Sequence, residues 1–299
     1  MKPRAWCPVA KPGGHDGISS TPRMTELYVV LAERIAARLG SPHVRALHLP
    51  PTEAAAEKDA EFCAIELEDG SIGFSYVWLG AVDDSLRARP AARAFPGMEA
   101  VALARGYASR DPAAKAVGFA AINALSQQLF SRASWTPPAA GDSLGEIEPK
   151  AGEHIGMIGL FRPLIPRVSA ARAQLTVLEL NPALAGEHES YRVTLDPADL
   201  ASCDKVVSTC SVMLNDTLDA VLAACRNARY FAIVGPTAGC VPDPLFARGV
   251  DAIGGRRVVD AEAFRDAFCK GEKWGACAAK YVITRQEYPG VEWLMDRIG

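Results

Sequence analysis

Hydrophobic and polar positions along this chain change rhythm near its middle. Thr25 to Leu39 places Leu27, Val30, Leu31, Ile35 and Leu39 on one side of a helix, with Thr25 as its cap and Gly40 as its stop. Val44 to Leu49 reads as a short strand. Phe62 to Glu68 and Ile72 to Trp78 alternate around Asp69-Gly70, which predicts a β-hairpin. Helices follow at Pro96–Arg105 and Asp111–Phe130, the second opening on a cap and an N1 proline. From His154 onward, apolar runs alternate with helical stretches. Strands are expected at His154–Phe161, Leu175–Leu180, Lys205–Cys210 and Tyr230–Gly235, with short ones at Val250–Gly254 and Arg257–Val259. Helices are expected at Pro163–Gln174, Thr217–Ala228, Pro244–Arg248 and Ala261–Cys269. Apolar strands between helices predict a parallel sheet covered on both faces.

The organisation this implies is α/β: a small α+β domain at 24–133, a linker rich in Pro and Gly at 134–152, and a parallel-sheet domain at 153–299. Residues 1–23 are expected to be a disordered tail, with Met24 as the start of the folded part. Composition narrows the function classes. Lys plus Arg number 32 against 35 Asp plus Glu, and neither half carries the basic surplus that phosphate-backbone binding needs. Nucleic acid and anionic membrane are therefore excluded as expected partners. The longest uncharged stretch, Ala116 to Ser131, contains Asn123, Ser126, Gln127 and Gln128, so it reads as a packed helix and not a membrane span. No signal-type apolar segment opens the chain, and a cytoplasmic location is expected. A homo-oligomer stays open. The 8 cysteines form no C-x-x-C pair, and the 5 histidines are scattered, so no structural zinc site of familiar spacing is present.

In a parallel sheet the residues just after each strand collect on one edge, and ligands bind there. Those positions are Gly159 and Phe161; Glu179, Asn181 and Pro182; Thr209, Cys210 and Ser211; and Gly235, Pro236, Thr237 and Cys240. Gly156-x-x-Gly159 is not the dinucleotide fingerprint, which argues against NAD, although Glu179 follows Gly159 by 20 residues, where an acid would hold a ribose. Thr209 to Thr217 sets hydroxyls and the amide of Asn215 ahead of a helix start, a site for an anion or a simple cap at Asn215 or Asp216. The stiff loop Gly235 to Pro244 suits a fixed binding surface or a rigid turn. Cys210 and Cys240 are candidate soft-metal ligands, with two inert buried thiols as the alternative. No G-x-S-x-G supports a serine hydrolase.

These residues carry a resemblance. Thr209…Asn215-x-Thr217, Gly235-Pro-Thr237, Pro242-x-Pro-Leu-Phe246, Gly249-Val250 and Gly254-Gly255, with Gly159-x-Phe161 and Leu178-Glu-Leu-Asn-Pro182, resemble the Putative heavy-metal chelation family of prokaryotic proteins. Gly73-Phe-Ser-Tyr76 and Ala120-Ala-Ile-Asn-Ala124 resemble its companion domain. The resemblance implies an enolase-N-terminal-like domain followed by a Rossmann-like domain, with a cleft between them. Ala238-Gly-Cys240 departs from the Ser, Thr and Pro common there. The leading expectation is a protein that binds a metal ion, of unspecified identity, or a small metal chelate in the cleft. Oxygens would come from Glu179, Asn181, Thr209, Asn215, Asp216 and Thr237, with Asn123 approaching from the first domain. The alternatives are an enzyme acting on a nucleotide or adenosyl-type cofactor, and an accessory protein in metal-cofactor assembly.

Overall fold

A computed structural model describes residues 22–51, 61–77, 82–88, 95–142 and 144–298. The segment expected to be a disordered tail lies almost wholly outside the described residues. The first half opens with α1 (Met24–Leu39), which Gly40 ends at φ 78°. A three-stranded antiparallel sheet follows, β1 (Val44–His48), β2 (Phe62–Leu67) and β3 (Ile72–Tyr76), in the order β1-β2-β3. The expected hairpin is present: Gly70 takes φ 87°, and the Ser71 N–H donates to the Asp69 carboxylate at 2.9 Å. Next come α2 (Val82–Ala88), α3 (Ala100–Ala104), a 3-10 turn at Arg105–Ala108, and α4 (Pro112–Arg132). The helix expected at Pro96–Arg105 is thus shorter and starts later. Asp111 caps α4 by accepting from the Ala113 N–H at 3.1 Å.

Helix α4 is buried on every side from Lys115 to Phe130. Its small residues permit this. A Cβ on Gly73 of β3 would lie 2.1 Å from the Ala124 nitrogen, so strand and helix backbones touch there. The other flank of α4 receives the second half.

That half is built from β4 (His154–Ile158), α5 (Leu164–Ala170), β5 (Gln174–Leu178), β6 (Gly186–Glu187), β7 (Arg192–Thr194), β8 (Lys205–Thr209), α6 (Leu218–Ala224), β9 (Tyr230–Val234), α7 (Asp243–Ala247), β10 (Ala252–Val258), α8 (Ala261–Lys270), β11 (Ala278–Thr284) and α9 (Val291–Asp296). One eight-stranded sheet results, ordered β11-β10-β9-β8-β4-β5-β7-β6. The run from β10 to β7 is parallel, and β11 and β6 are antiparallel edges. The architecture is therefore mixed α/β, with a large parallel-rich sheet and a small antiparallel one. The two short strands expected at Val250–Gly254 and Arg257–Val259 are one strand. Gly255 sits inside it because a Cβ there would meet the Tyr281 hydroxyl at 2.5 Å, a glycine of close approach and not of a break.

The halves share their core. Phe264, Phe268 and Trp274 of the second half cover one face of the first sheet, with Trp274 stacked on Phe74 at 4.6 Å between ring centroids. Beside them Glu66, fully buried, is matched by His48 at 2.9 Å and Arg265 at 2.8 Å. The stretch expected as a linker is packed along much of its length. Ala139 bridges Tyr281 of β11, Leu144 and Ile147 are buried, and the Tyr230 hydroxyl donates to the Gly145 carbonyl at 2.5 Å. Among the described residues no helix is long and apolar enough to cross a membrane.

Candidate functional site

The strand order reverses between β4 and β8. From β4 the chain builds outward through β5 to β7, then returns to lay β8 on the other side of β4. The carboxyl ends of the strands at such a reversal diverge, which leaves a crevice. A cavity of about 510 Å³ lies there. Gly159, Phe161, Glu179, Asn181, Thr209, Ser211, Asn215 and Thr217 line it, all of them expected from the sequence. Leu160, Leu178, Leu180, Leu184, Leu195, Val212 and Val221 supply apolar wall.

Local bonding explains how each polar group is held. Gly159 follows β4 at φ 82°, and a Cβ there would press on Thr209 at 3.2 Å. The Glu179 carboxylate accepts from the Leu160 N–H at 3.0 Å and the Leu180 N–H at 2.9 Å, one bond to each oxygen. It thereby ties the loop after β4 to the end of β5 while keeping lone pairs for a ligand. The Thr209 hydroxyl oxygen accepts from the Ser211 N–H at 3.3 Å and the Ser211 hydroxyl at 3.2 Å. The Asn215 carbonyl oxygen accepts from the Thr217 N–H at 3.2 Å and its hydroxyl at 2.6 Å. Asn181 likewise accepts from the Ala183 N–H at 3.1 Å. Capping and cavity lining are thus combined in the same side chains.

Two polar lining residues were not expected from the sequence, Glu61 and Tyr76 of the first half. Burial pushes the Tyr76 phenol up from its ordinary value, and the charge of Glu61 adds to the effect, so it stands as a neutral donor. The available signal was positional: Phe62 and Tyr76 pair across the hairpin, placing Glu61 and Tyr76 at the same sheet end.

Other expected residues lie elsewhere. Asp216 turns away from the cavity and pairs with Lys115 of α4 at 2.6 Å. Gly235, at φ 134°, rests against Cys210, whose sulfur a Cβ would meet at 2.6 Å. Pro236 does not line the cavity, and Thr237 is fully buried. Asn123 does reach across from the first half, but into packing: its Nδ2 donates to the Phe74 carbonyl at 2.7 Å and the Thr237 carbonyl at 2.8 Å. Gln127 donates to the Gly239 carbonyl at 2.8 Å, and the Val241 N–H donates to Ser126 at 3.1 Å. The 235–241 loop therefore spends its polar groups on α4. His154 sits at the opposite end of β4, bonded to Thr176 at 2.8 Å.

The cysteines face the same packed layer. Burial pushes the Cys210 thiol up to about 11 and the Cys240 thiol up to about 12. The Cys240 thiol donates to the Tyr28 hydroxyl at 3.2 Å. Metal ligation needs thiolates, and these sulfurs hold their protons in apolar surroundings. Among the described residues no three His, Cys, Asp or Glu side chains gather where they could hold a metal ion. Cys210 and Cys240 thus stand as protonated, packed thiols with no third His, Cys, Asp or Glu gathered beside them among the described residues.

Comparison with known proteins agrees with this picture at the level of family and fold. An uncharacterised protein of Methanocaldococcus jannaschii is 28% identical over 158 residues, which span 52% of this chain and 58% of that relative. A DUF364-family protein of unknown function from Pyrococcus horikoshii superposes with a TM-score of 0.63 at 17% identity, over 86% of this chain and 99% of that one. Another from Desulfitobacterium hafniense gives 0.61 at 20% identity, over 88% and 100%. Family models DUF364, over residues 143–286, and DUF4213, over residues 60–126, carry one description, and it supports a general metal-binding role. Matched across both halves, the chain belongs to the family described as Putative heavy-metal chelation.

Proposed function

We propose that this protein binds a small metal chelate, an organic ligand carrying its metal, in the cavity at the strand ends of β4, β5 and β8. In this reading residues 153–299 form a Rossmann-like binding domain, and residues 24–133 form an enolase-N-terminal-like domain that closes the cavity with Glu61 and Tyr76. One observation carries the proposal. The cavity, about 510 Å³, has the size and the largely apolar wall of a small-molecule site, with oxygens placed around it and, among the described residues, no compact donor cluster. A bare ion needs donors converging on a point at about 2.0–2.6 Å. A chelate needs one or two protein oxygens toward the metal and apolar surface for the organic part. Glu179, Asn181, Thr209, Asn215 and Tyr76 would supply the polar contacts.

Native mass spectrometry with elemental analysis, on protein purified without chelators or an affinity tag, tests this. The expected result is metal accompanied by an organic mass, retained in Cys210→Ser/Cys240→Ser and reduced about tenfold in affinity in Glu179→Gln, the loss of one charge-assisted contact. Metal with no organic mass, or metal lost in the double cysteine variant, would overturn the reading. A second reading rests on Glu179 itself. It stands at the end of the second strand, where an acid holds a ribose, and so favours an enzyme acting on a nucleotide or adenosyl-type cofactor. Protection from thermal unfolding by nucleotides without metal would select it.

A further inference from the structure

The loop between β8 and α6 has a cavity on each side. Asn215 and Thr217 face the first, whereas Asp216 faces a second of about 450 Å³ between α1, the start of α4 and this loop. Val212 lines both. Three cationic side chains line the second: Arg23, Arg110 and Lys115. Lys115 is 8% exposed, and its ammonium contacts both carboxylate oxygens of Asp216, at 2.7 and 2.6 Å. Its partner is its opposite in exposure, with 69% of the Asp216 side chain accessible. Asp216 also holds φ at 59°, a left-handed conformation that L side chains adopt at a cost. The other acid of the cavity, Asp219, is engaged by Arg248. Arg110 is exposed and, among the described residues, makes no ion pair.

A buried ammonium, a guanidinium that makes no ion pair among the described residues, and the Arg23 guanidinium, which pairs with Glu26 at 2.7 Å, therefore share a cavity in which the carboxylate on Lys115, that of Asp216, is strained and largely solvated. One carboxylate satisfies Lys115 alone. A phosphate group, with three oxygens and close to two charges, answers Lys115 and Arg110 together.

We propose that this second cavity is a phosphate-group site, in which Lys115 and Arg110, with Arg23 beside them, hold the anion and Asp216 is the internal carboxylate that it displaces. Displacement frees Asp216 from its left-handed conformation and shifts its neighbours Asn215 and Thr217 in the wall of the first cavity. Occupancy of the two cavities is then coupled, and reciprocally so.

Isothermal titration calorimetry with inorganic phosphate, then with glycerol phosphate, tests the site on the full chain. Wild type is expected to bind one equivalent. Asp216→Asn, which suits the left-handed conformation, is expected to bind about tenfold tighter because the competing charge is gone. Arg110→Ala, on an exposed residue that leaves folding intact, should weaken binding about tenfold, and Lys115→Met should abolish it. Tighter binding of glycerol phosphate assigns the site to an organic phosphomonoester, and equal binding assigns it to free phosphate. No saturable binding to wild type or Asp216→Asn, or binding that Arg110→Ala leaves unchanged, overturns the proposal.

Discussion

Single residues in this protein show how burial decides what a chemical group can do. Cys63, Cys203, Cys225 and Cys240 are pushed up to about 12 and Cys210 to about 11 from an ordinary 9.0, in each case chiefly by burial. Below pH 9 the thiols are neutral in both folded and unfolded chains, and their contribution to stability is fully present. As pH rises from 9 toward 11 and 12, the unfolded chain ionises them and the folded one does not, so stability is lost. Near pH 10.5 the loss is about 1–2 kcal/mol for each fully buried thiol. The denaturant midpoint should fall between pH 8 and pH 10.5, and fall less in Cys210→Ser/Cys240→Ser. Equal slopes in the two proteins would show that these thiols do not govern the alkaline limit. The sequence already allowed this outcome, because a cysteine after a strand is as easily a small buried hydrophobe as a ligand. Only the packing of Tyr28 and α4 against the 235–241 loop separates the two.

At the scale of elements, the strands were legible wherever one pattern governed both faces. The Asp69-Gly70 hairpin and the apolar strands β4, β5, β8 and β9 lie where the alternation and the continuous runs put them. Strand β11 was not: it reads AAKYVIT, where Ala279 and Lys280, less buried than the residues just after them, interrupt the apolar pattern. The site was legible in its strand-end half, since each residue's position follows from the end of its own strand. Glu61 and Tyr76 were hidden because they come from the hairpin of the other sheet, one just before β2 and one at the end of β3. The partner of Asp216 lies 101 residues away on α4, a distance no local pattern spans. The β3–α4 contact supplies the sharpest test at this scale. A Cβ on Gly73 would meet backbone, 2.1 Å from the Ala124 nitrogen and 2.3 Å from the Ala120 oxygen. Backbone cannot rotate away as a side chain can, so Gly73→Ala must force strand and helix apart, at about 3 kcal/mol or more. Gly141→Ala, with nothing within 4 Å of the new Cβ, should stay within about 0.5 kcal/mol of wild type. Thermal melts of the pair check this; equal melting temperatures would refute the close approach.

For the whole molecule the question is whether two differently built halves fold as one body. The sheets are separate, and the change from α+β to alternating α/β near residue 150 invites a description as two independent units. The contacts argue otherwise. Tyr28 donates to the Val241 carbonyl at 3.1 Å, Tyr107 to the Met213 carbonyl at 2.7 Å, and Asn123 and Gln127 to the 235–241 loop, all from buried positions. Parting the halves would exchange each of these for a bond to water, at a net cost of about 0.5–1.5 kcal/mol apiece. The apolar terms point the same way, since Trp274 and Phe264 cover Phe74 and have no other half to bury against. Separating the halves before unfolding either would expose this layer at once, so neither half has a stable isolated state to populate. Calorimetry should therefore show one transition in which the van't Hoff and calorimetric enthalpies agree. Two resolved transitions would mean that the shared layer is weaker than its hydrogen bonds and rings imply, and that the cavity between the halves opens by rigid separation. A single transition fixes Glu61 and Tyr76 opposite Glu179 whenever the protein is folded, which makes the cavity a built-in property of the fold.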